Sequence, residues 1–131
     1  MIKDIDILRN TIELAHNVRV EYNKNHPDGE KVDLSDISDI LNPTENEQKL
    51  YDFLNKQNLY VLQRMISIMY LGRDKDYELK EDAEKTISYV YELLKDNFGW
   101  NDKEILIDQM TGKMDFDLYL QDGIKILNSI Y

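Results

Sequence analysis

Residues 59–72 read LYVLQRMISIMYLG, and this stretch decides the fold. Apolar side chains occupy nearly every position, so that only Gln63, Arg64 and Ser67 are expected to face water. A helix that is apolar on all sides is typical of burial by several partners. Gly72 follows the last apolar residue, where a glycine commonly ends a helix in the left-handed conformation. The sequence therefore predicts a central, buried helix that stops at Gly72.

Two helices are predicted before the central one. Apolar residues from Ile5 to Tyr22 recur at helical spacings, which indicates a first helix that ends near residues 23–25. Thr44-Glu45-Asn46-Glu47 is a capping box, a signature of a helix start. Asn58 is placed to cap the central helix.

Three helices are predicted after it. A long helix covers about residues 80–97 and is broken at Phe98-Gly99-Trp100. A short helix over residues 101–112 has Asn101 as its expected cap, and the last helix follows Asp115. No segment shows the alternation of a strand. The predicted fold is all-α, a compact bundle of five or six helices in a single domain over residues 1–131.

An acidic, less regular segment is expected at about residues 26–44. Between Asp28 and Glu47 there are seven acidic residues and one lysine. Within it Asp33, Asp36 and Asp39 are spaced by threes, which on a helix would align three carboxylates that could bind a divalent ion. The segment contains no histidine partner of the kind that carboxylate-bridged metal bundles use, so a solvated face is favoured over a metal site.

The formal net charge is −10, and acidic residues outnumber basic ones in both halves of the chain. Binding to phosphate backbones needs clustered Lys and Arg, so direct nucleic-acid binding and adhesion to an anionic membrane are disfavoured. The acidity allows a sharper hypothesis, in which the surface imitates DNA and occupies a basic cleft on an enzyme that binds nucleic acid.

The chain contains no cysteine, which excludes disulfides, Cys-ligated zinc, iron–sulfur clusters and a thiol nucleophile. Asp4 and Asp6 lie where a signal peptide would have an apolar core, and no run approaches the roughly 18 apolar residues of a membrane span. We expect a cytoplasmic protein with no cofactor.

Sequence motifs for catalysis are weak. His16 and His26 are ten positions apart, without the spacing of a helical metal site, and are expected to be solvated or locally bonded. Asp74 and Asp76 belong to a segment that resembles a calcium loop, but Leu79 stands where that loop needs glycine. No catalytic residue and no bound metal are predicted. The nine tyrosines suit both core edges and protein interfaces.

Residues 65–74 (MISIMYLGRD) and 116–124 (FDLYLQDGI) carry a resemblance to a known family. The match over roughly residues 58–127 resembles a bacterial family of uncharacterised small helical proteins. Its signature is an apolar helix that ends in Trp-Leu-Gly-Arg-Gly-Asp, with a C-terminal Tyr-Leu-x-x-Gly-Leu. Tyr70 stands where the family has Trp, and the second Gly is missing because Asp74 follows Arg73 directly. The resemblance implies a helical fold and transfers no activity.

Arg73 follows the predicted stop of the central helix, where the helix dipole favours a cation. We expect it to form an ion pair with Asp74, Asp76 or Asp122; the alternative is that it binds an anionic partner. The candidate binding residues are therefore Arg73, Asp74 and Asp76, together with the three aspartates at 33, 36 and 39.

The functional expectation is a non-enzymatic module, a small regulator or inhibitor that binds a protein partner through an acidic, tyrosine-bearing surface. One alternative is a DNA-mimicking antagonist of the kind that phages and mobile elements carry. Another is a carboxylate- or metal-dependent enzyme. The sequence leaves self-association open.

Overall fold

The computed structural model of the protein describes residues 2–25 and 43–131. These residues form six α-helices and no strand, which confirms the predicted all-α bundle for the described part. None of the six helices is long and apolar enough to cross a membrane. In chain order they are α1 (Ile5–Asn25), α2 (Glu45–Asn55), α3 (Leu59–Asp74), α4 (Ala83–Phe98), α5 (Lys103–Thr111) and α6 (Phe116–Ile130).

Side-chain caps set the start of four helices. Thr44 Oγ1 accepts from the Glu47 amide at 3.1 Å, and Asn58 Oδ1 accepts from the Val61 amide at 2.9 Å, as the sequence predicts. Such bonds satisfy amides that have no partner inside the helix.

The caps of α4 and α5 differ from the sequence prediction. α4 begins at Ala83 rather than near residue 80, because Asp82 Oδ1 accepts from the Lys85 amide at 2.8 Å. α5 is capped by Asp102 rather than Asn101, since the Asp102 carboxylate accepts from two backbone amides of the first turn. A carboxylate also interacts favourably with the helix dipole there.

α3 lies at the centre of the bundle, with α6 as its main neighbour and α4 and α5 beside it. α1 packs on α2 and α6. The prediction that Arg64 and Ser67 face water is wrong. Ser67 is buried and donates to the Gln63 carbonyl of its own helix at 2.8 Å. Arg64 is only 7% exposed and bonds Glu84 and the Lys3 carbonyl.

The crossing of α3 and α6 requires two glycines. A Cβ atom on Gly72 would overlap the Tyr119 carbonyl oxygen and the Gly123 amide nitrogen of α6. A Cβ atom on Gly123 would overlap the Ile68 carbonyl of α3. The two helix backbones are therefore in contact, with no side chain between them.

The expectation that Gly72 ends the central helix is wrong. Gly72 is buried within α3, which continues to Asp74. The left-handed residue that ends it is Lys75, with φ of 63°, and its amide donates to the Leu71 carbonyl at 3.0 Å. Gly72 is needed for close packing, whereas the exposed Lys75 adopts the left-handed conformation at a modest cost.

Gly72→Ala and Gly123→Ala should each lower the free energy of unfolding by about 3 kcal/mol or more, because the added methyl group forces two backbones apart. In an unobstructed helix the same change would stabilise by about 1 kcal/mol. Urea unfolding followed by circular dichroism measures the difference. Ser88→Ala, at an exposed position of α4, is the control and should shift stability by less than about 0.5 kcal/mol. An unchanged unfolding midpoint for Gly72→Ala would contradict the close crossing.

Candidate functional site

Arg73 and Asp74, both predicted as binding residues, form an ion pair at the end of α3. Arg73 Nε donates to Asp74 Oδ1 at 2.8 Å. The Tyr77 hydroxyl donates to the other carboxylate oxygen at 2.7 Å. The guanidinium carbon of Arg73 also lies 4.4 Å from the centroid of the Tyr70 ring. Both carboxylate oxygens of Asp74 are thus bonded within the chain. Of the ion pairs expected for Arg73, the one with Asp74 is formed.

These contacts shift two pKa values. The bond to Asp74 raises the pKa of Arg73 above its ordinary value, which keeps the guanidinium charged. Burial, and then the hydrogen bond to Asp74, raise the pKa of Tyr77 well above that of a free phenol. The folded protein therefore favours the neutral phenol, which can donate to Asp74.

Tyr70 belongs to an aromatic cluster made of Tyr70, Tyr91, Phe98 and Trp100. The ring centroids of Tyr70 lie 5.7 Å from those of Phe98 and of Trp100. Tyr91 and Phe98 are each 6.0 Å from Trp100. All four pairs are stacked, at separations that are favourable for aromatic rings. The cluster joins α3, the C-terminal half of α4 and the turn that leads to α5.

Hydrogen bonds fix the position of this cluster. Trp100 is 1% exposed, and its indole Nε1 donates to Gln109 Oε1 at 2.9 Å. Gln109 Nε2 in turn donates to the Phe98 carbonyl at 2.8 Å, and Gln63 Nε2 donates to the Trp100 carbonyl at 2.7 Å. Two glutamines, from α3 and α5, therefore hold the turn between α4 and α5 from both sides.

Phe98 is the exposed member of the aromatic cluster. Phe98 follows the apolar spacing of α4, which predicts a buried side chain, yet it is 38% exposed although its ring stacks on both Tyr70 and Trp100. Gly99 has φ of 69° and ends α4 in the left-handed conformation, which places Phe98 at the last position of the helix. Ile105 of α5 is near Gly99 and is itself 41% exposed.

Cations lie around the same cluster. Lys113 Nζ is 5.2 Å from the Tyr70 centroid, and Lys95 Nζ is 5.7 Å from that of Tyr91. Lys95 also pairs with Glu92 at 2.8 Å, and Lys113 donates to the Gln109 carbonyl at 3.0 Å. Contacts of this kind contribute roughly 0.5–1 kcal/mol each at exposed sites.

A second polar group, which the sequence did not reveal, joins α1 to α6. Asp117 is 1% exposed and accepts from Arg19 Nε at 2.9 Å and from Arg19 Nη2 at 3.0 Å. His16 Nδ1 lies 3.5 Å from Asp117 and 3.2 Å from Arg19 Nη2. The bond to Asp117 raises the pKa of Arg19, and the pair connects residues that are 98 positions apart. Only the position of Asp117 in the first turn of α6 was a sequence signal.

The other predicted site residues are not brought together with these groups. Asp76 is exposed beyond the end of α3. His26 and the aspartates at 33, 36 and 39 lie outside the described residues, and so does the acidic segment apart from positions 43 and 44. Within residues 2–25 and 43–131, no three His, Asp or Glu side chains are arranged to hold a metal ion.

The charged groups of the described site are paired with one another, and the site offers a partner mainly an exposed aromatic surface. Asp74 and Asp117 are both paired with arginine, and the Tyr77 hydroxyl donates a hydrogen bond to Asp74. Phe98 is a large apolar side chain that the aromatic cluster holds partly in solvent. Comparisons with protein-family models, with curated proteins and with solved structures find no match for the chain.

Alkaline titration should show the late ionisation of Tyr77. Its folded pKa is raised, so its contribution to stability is present below the ordinary tyrosine pKa of about 10 and is lost as pH rises beyond that value. The difference in phenolate absorbance between the native protein and Tyr77→Phe isolates this group. Asp74→Asn should move its transition to lower pH, while a Tyr77 transition at about pH 10 in the native protein would refute the prediction.

Removing the buried carboxylate should destabilise the bundle. Asp117→Asn leaves the Arg19 guanidinium without its anion, and we expect a loss of about 3 kcal/mol in the free energy of unfolding. Asp108→Asn is the control, because Asp108 is exposed on α5 and its carboxylate has no partner among the described residues. Equal unfolding midpoints for the two variants in urea would show that the pair carries no stability.

Proposed function

We propose that the protein is a non-enzymatic interaction module that binds a protein partner through its α4–α5 corner. The α4–α5 corner consists of the exposed Phe98 and Ile105 and the acidic Asp102, Glu104 and Asp108. The observation that carries the proposal is the Phe98 ring, which is held by stacking on Tyr70 and Trp100 and is still 38% exposed.

A rigid, exposed aromatic ring is well suited to binding. Residues that dominate binding energy are commonly aromatic, and they lose little conformational freedom when their position is already fixed. Phe98 is fixed by its ring neighbours and by the Gln109 bond to its carbonyl. Ile105, on the following helix, extends the apolar surface beside it. Tyr91, half-buried in the same cluster, supplies the tyrosine of the expected surface.

The charge around the corner indicates the chemistry of the partner. Glu104 and Asp108 are exposed and four residues apart on α5, which places them on the same helix face beside Ile105. Asp102 is also exposed, and its carboxylate caps α5. An apolar anchor with acidic neighbours suits a partner that has an apolar pocket with a basic rim.

DNA mimicry is the narrower alternative, and the described acidic residues give it less support. Asp82 and Asp102 cap helices, Glu84 pairs with the buried Arg64, and the buried Asp117 pairs with Arg19. Acidic side chains used in this way stabilise the fold and do not by themselves form a phosphate-like array. A metal-dependent enzyme has no supporting observation in the described residues and is not part of the proposal.

The proposal is tested by quantitative capture of proteins from a lysate of the source cells on three immobilised baits. These are the native protein, Phe98→Ala and the control Ile130→Ala, which removes a 49% exposed apolar side chain from the end of α6. We expect a stoichiometric partner on the native and control baits, with recovery at least about tenfold lower on Phe98→Ala. Recovery should also fall between low and moderate salt.

Circular dichroism and Trp100 fluorescence establish that each bait is folded. Equal recovery of every partner on Phe98→Ala would remove the α4–α5 corner from the proposal. The absence of any stoichiometric partner on the native bait would refute the interaction module itself.

A further inference from the structure

We infer that the face between α1 and α6 is a second docking site, which binds an acidic amphipathic helix of a partner protein. Two adjoining grooves on this face share Ile5 and Arg9. The first has a volume of about 340 Å³ and is lined by Ile5, Arg9, Ile12, Gln121, Ile124 and Lys125. The second, of about 320 Å³, continues past Leu127 to Ala83 and Tyr131.

The charge of this face is opposite to that of the whole protein. Arg9 and Lys125 are exposed, and neither forms an ion pair or a hydrogen bond with any of the described residues. Asp6 and Glu13 stand three before and four after Arg9 on α1, and they form no ion pair with it. Among residues 2–25 and 43–131, no acidic side chain lines either groove. In a protein of net charge −10, two free cations beside one apolar groove favour an anionic occupant.

The apolar lining and the length of this face indicate that its anionic ligand is a helix. Ile5, Ile12 and Ile124 are half-buried and leave part of their surface to solvent. Along α6 the lining extends from Gln121 to Tyr131, which at about 1.5 Å per residue is roughly 15 Å. That distance fits a ligand helix with apolar anchors at i, i+3 or i+4, and i+7.

Other ligand classes fit less well. The grooves are open to solvent along their length, whereas sites for small molecules enclose most of the ligand surface. An anionic membrane would be repelled by the remaining acidic surface. A second copy of the chain carries the same net charge of −10, so association between copies is opposed by charge.

One end of the face is already rigid before any ligand binds. The Tyr131 hydroxyl donates to the Lys80 carbonyl and lies 2.9 Å from the Oγ1 atom of Thr86, which is fully buried. The Tyr131 side chain is thereby held against the segment before α4. A partner helix would meet a preformed wall at this end, which reduces the entropy lost on binding.

The test uses a synthetic, fluorescently labelled helical peptide of about 14 residues, with leucine at i, i+4, i+7 and i+11 and glutamate at most other positions. Fluorescence anisotropy measures its binding to the full chain. We expect the Arg9→Glu/Lys125→Glu variant to bind at least about tenfold more weakly than the native protein. Lys24→Glu/Lys56→Glu is the matched control, because it has the same total charge and changes two exposed lysines without described partners. We expect it to stay within about twofold.

Phe98→Ala should bind the peptide as the native protein does, which separates this site from the α4–α5 corner. Absence of binding to the native protein, equal binding of a scrambled peptide, or equal weakening in the lysine control would overturn the inference. The inference would also be overturned if the native protein bound dodecanoate or phosphatidylglycerol vesicles and the Arg9→Glu/Lys125→Glu variant did not. If sedimentation shows that the native protein is a dimer and that this variant is a monomer, the groove binds a second copy of the chain, and the inference is overturned.

Discussion

The contact between the backbones of α3 and α6 at Gly72 and Gly123 is the constraint on which the rest of the structure depends. Because no side chain separates the two helices there, Gly72 lies against the backbone of Tyr119 and Gly123 lies against the backbone of Ile68. α6 then presents its other side to α1, and α3 presents its other sides to α4 and α5. Moving this crossing apart would displace every interface of the bundle, since all of them involve α3, α6 or a helix packed on one of them.

The acidity of the chain has more than one physical role. Part of it lies at helix starts, where Asp82 and Asp102 accept from backbone amides. Another part pairs with arginine: Asp117 is buried against Arg19, and Glu84 pairs with the buried Arg64. The remainder includes Glu104 and Asp108 on the exposed face of α5. Among the described residues of the α4–α5 corner, these two carboxylates and the exposed Asp102 face solvent, where a partner could contact them. The described surface therefore includes an acidic corner with Phe98 and a groove along α1 and α6 that carries Arg9 and Lys125, and the two would select partners of opposite charge.

The sequence predicted the helices better than it predicted the contacts between them. Thr44, Asn58 and the periodicity of α6 are local signals, and the structure agrees with them. Gly72 was assigned to the helix end because a glycine after an apolar run has that meaning locally. Its actual neighbour is Gly123, which is 51 positions away, and single-sequence periodicity contains no information on such a pairing.

The same limit applies to the site. Arg73 and Asp74 are adjacent in sequence, and their ion pair could be expected. The Arg19–Asp117 pair and the exposure of Phe98 depend on how distant helices meet, so composition and spacing could not reveal them. Arg64 shows the difference most clearly: a cation within an apolar run was interpreted as solvated, whereas its partners come from residues 3, 4 and 84.

The Arg19–Asp117 pair also bears on how the protein folds while it is being synthesised. α1 leaves the ribosome before α6, so its arginine meets its carboxylate only after α6 has emerged, 98 residues later. Of the two described helices on which α1 packs, α2 is then the one already present, and the side of α1 that α6 will cover has not yet met α6. The first helix is therefore among the last to reach its final place. Chaperones that protect apolar segments on nascent chains would have their longest opportunity at α1.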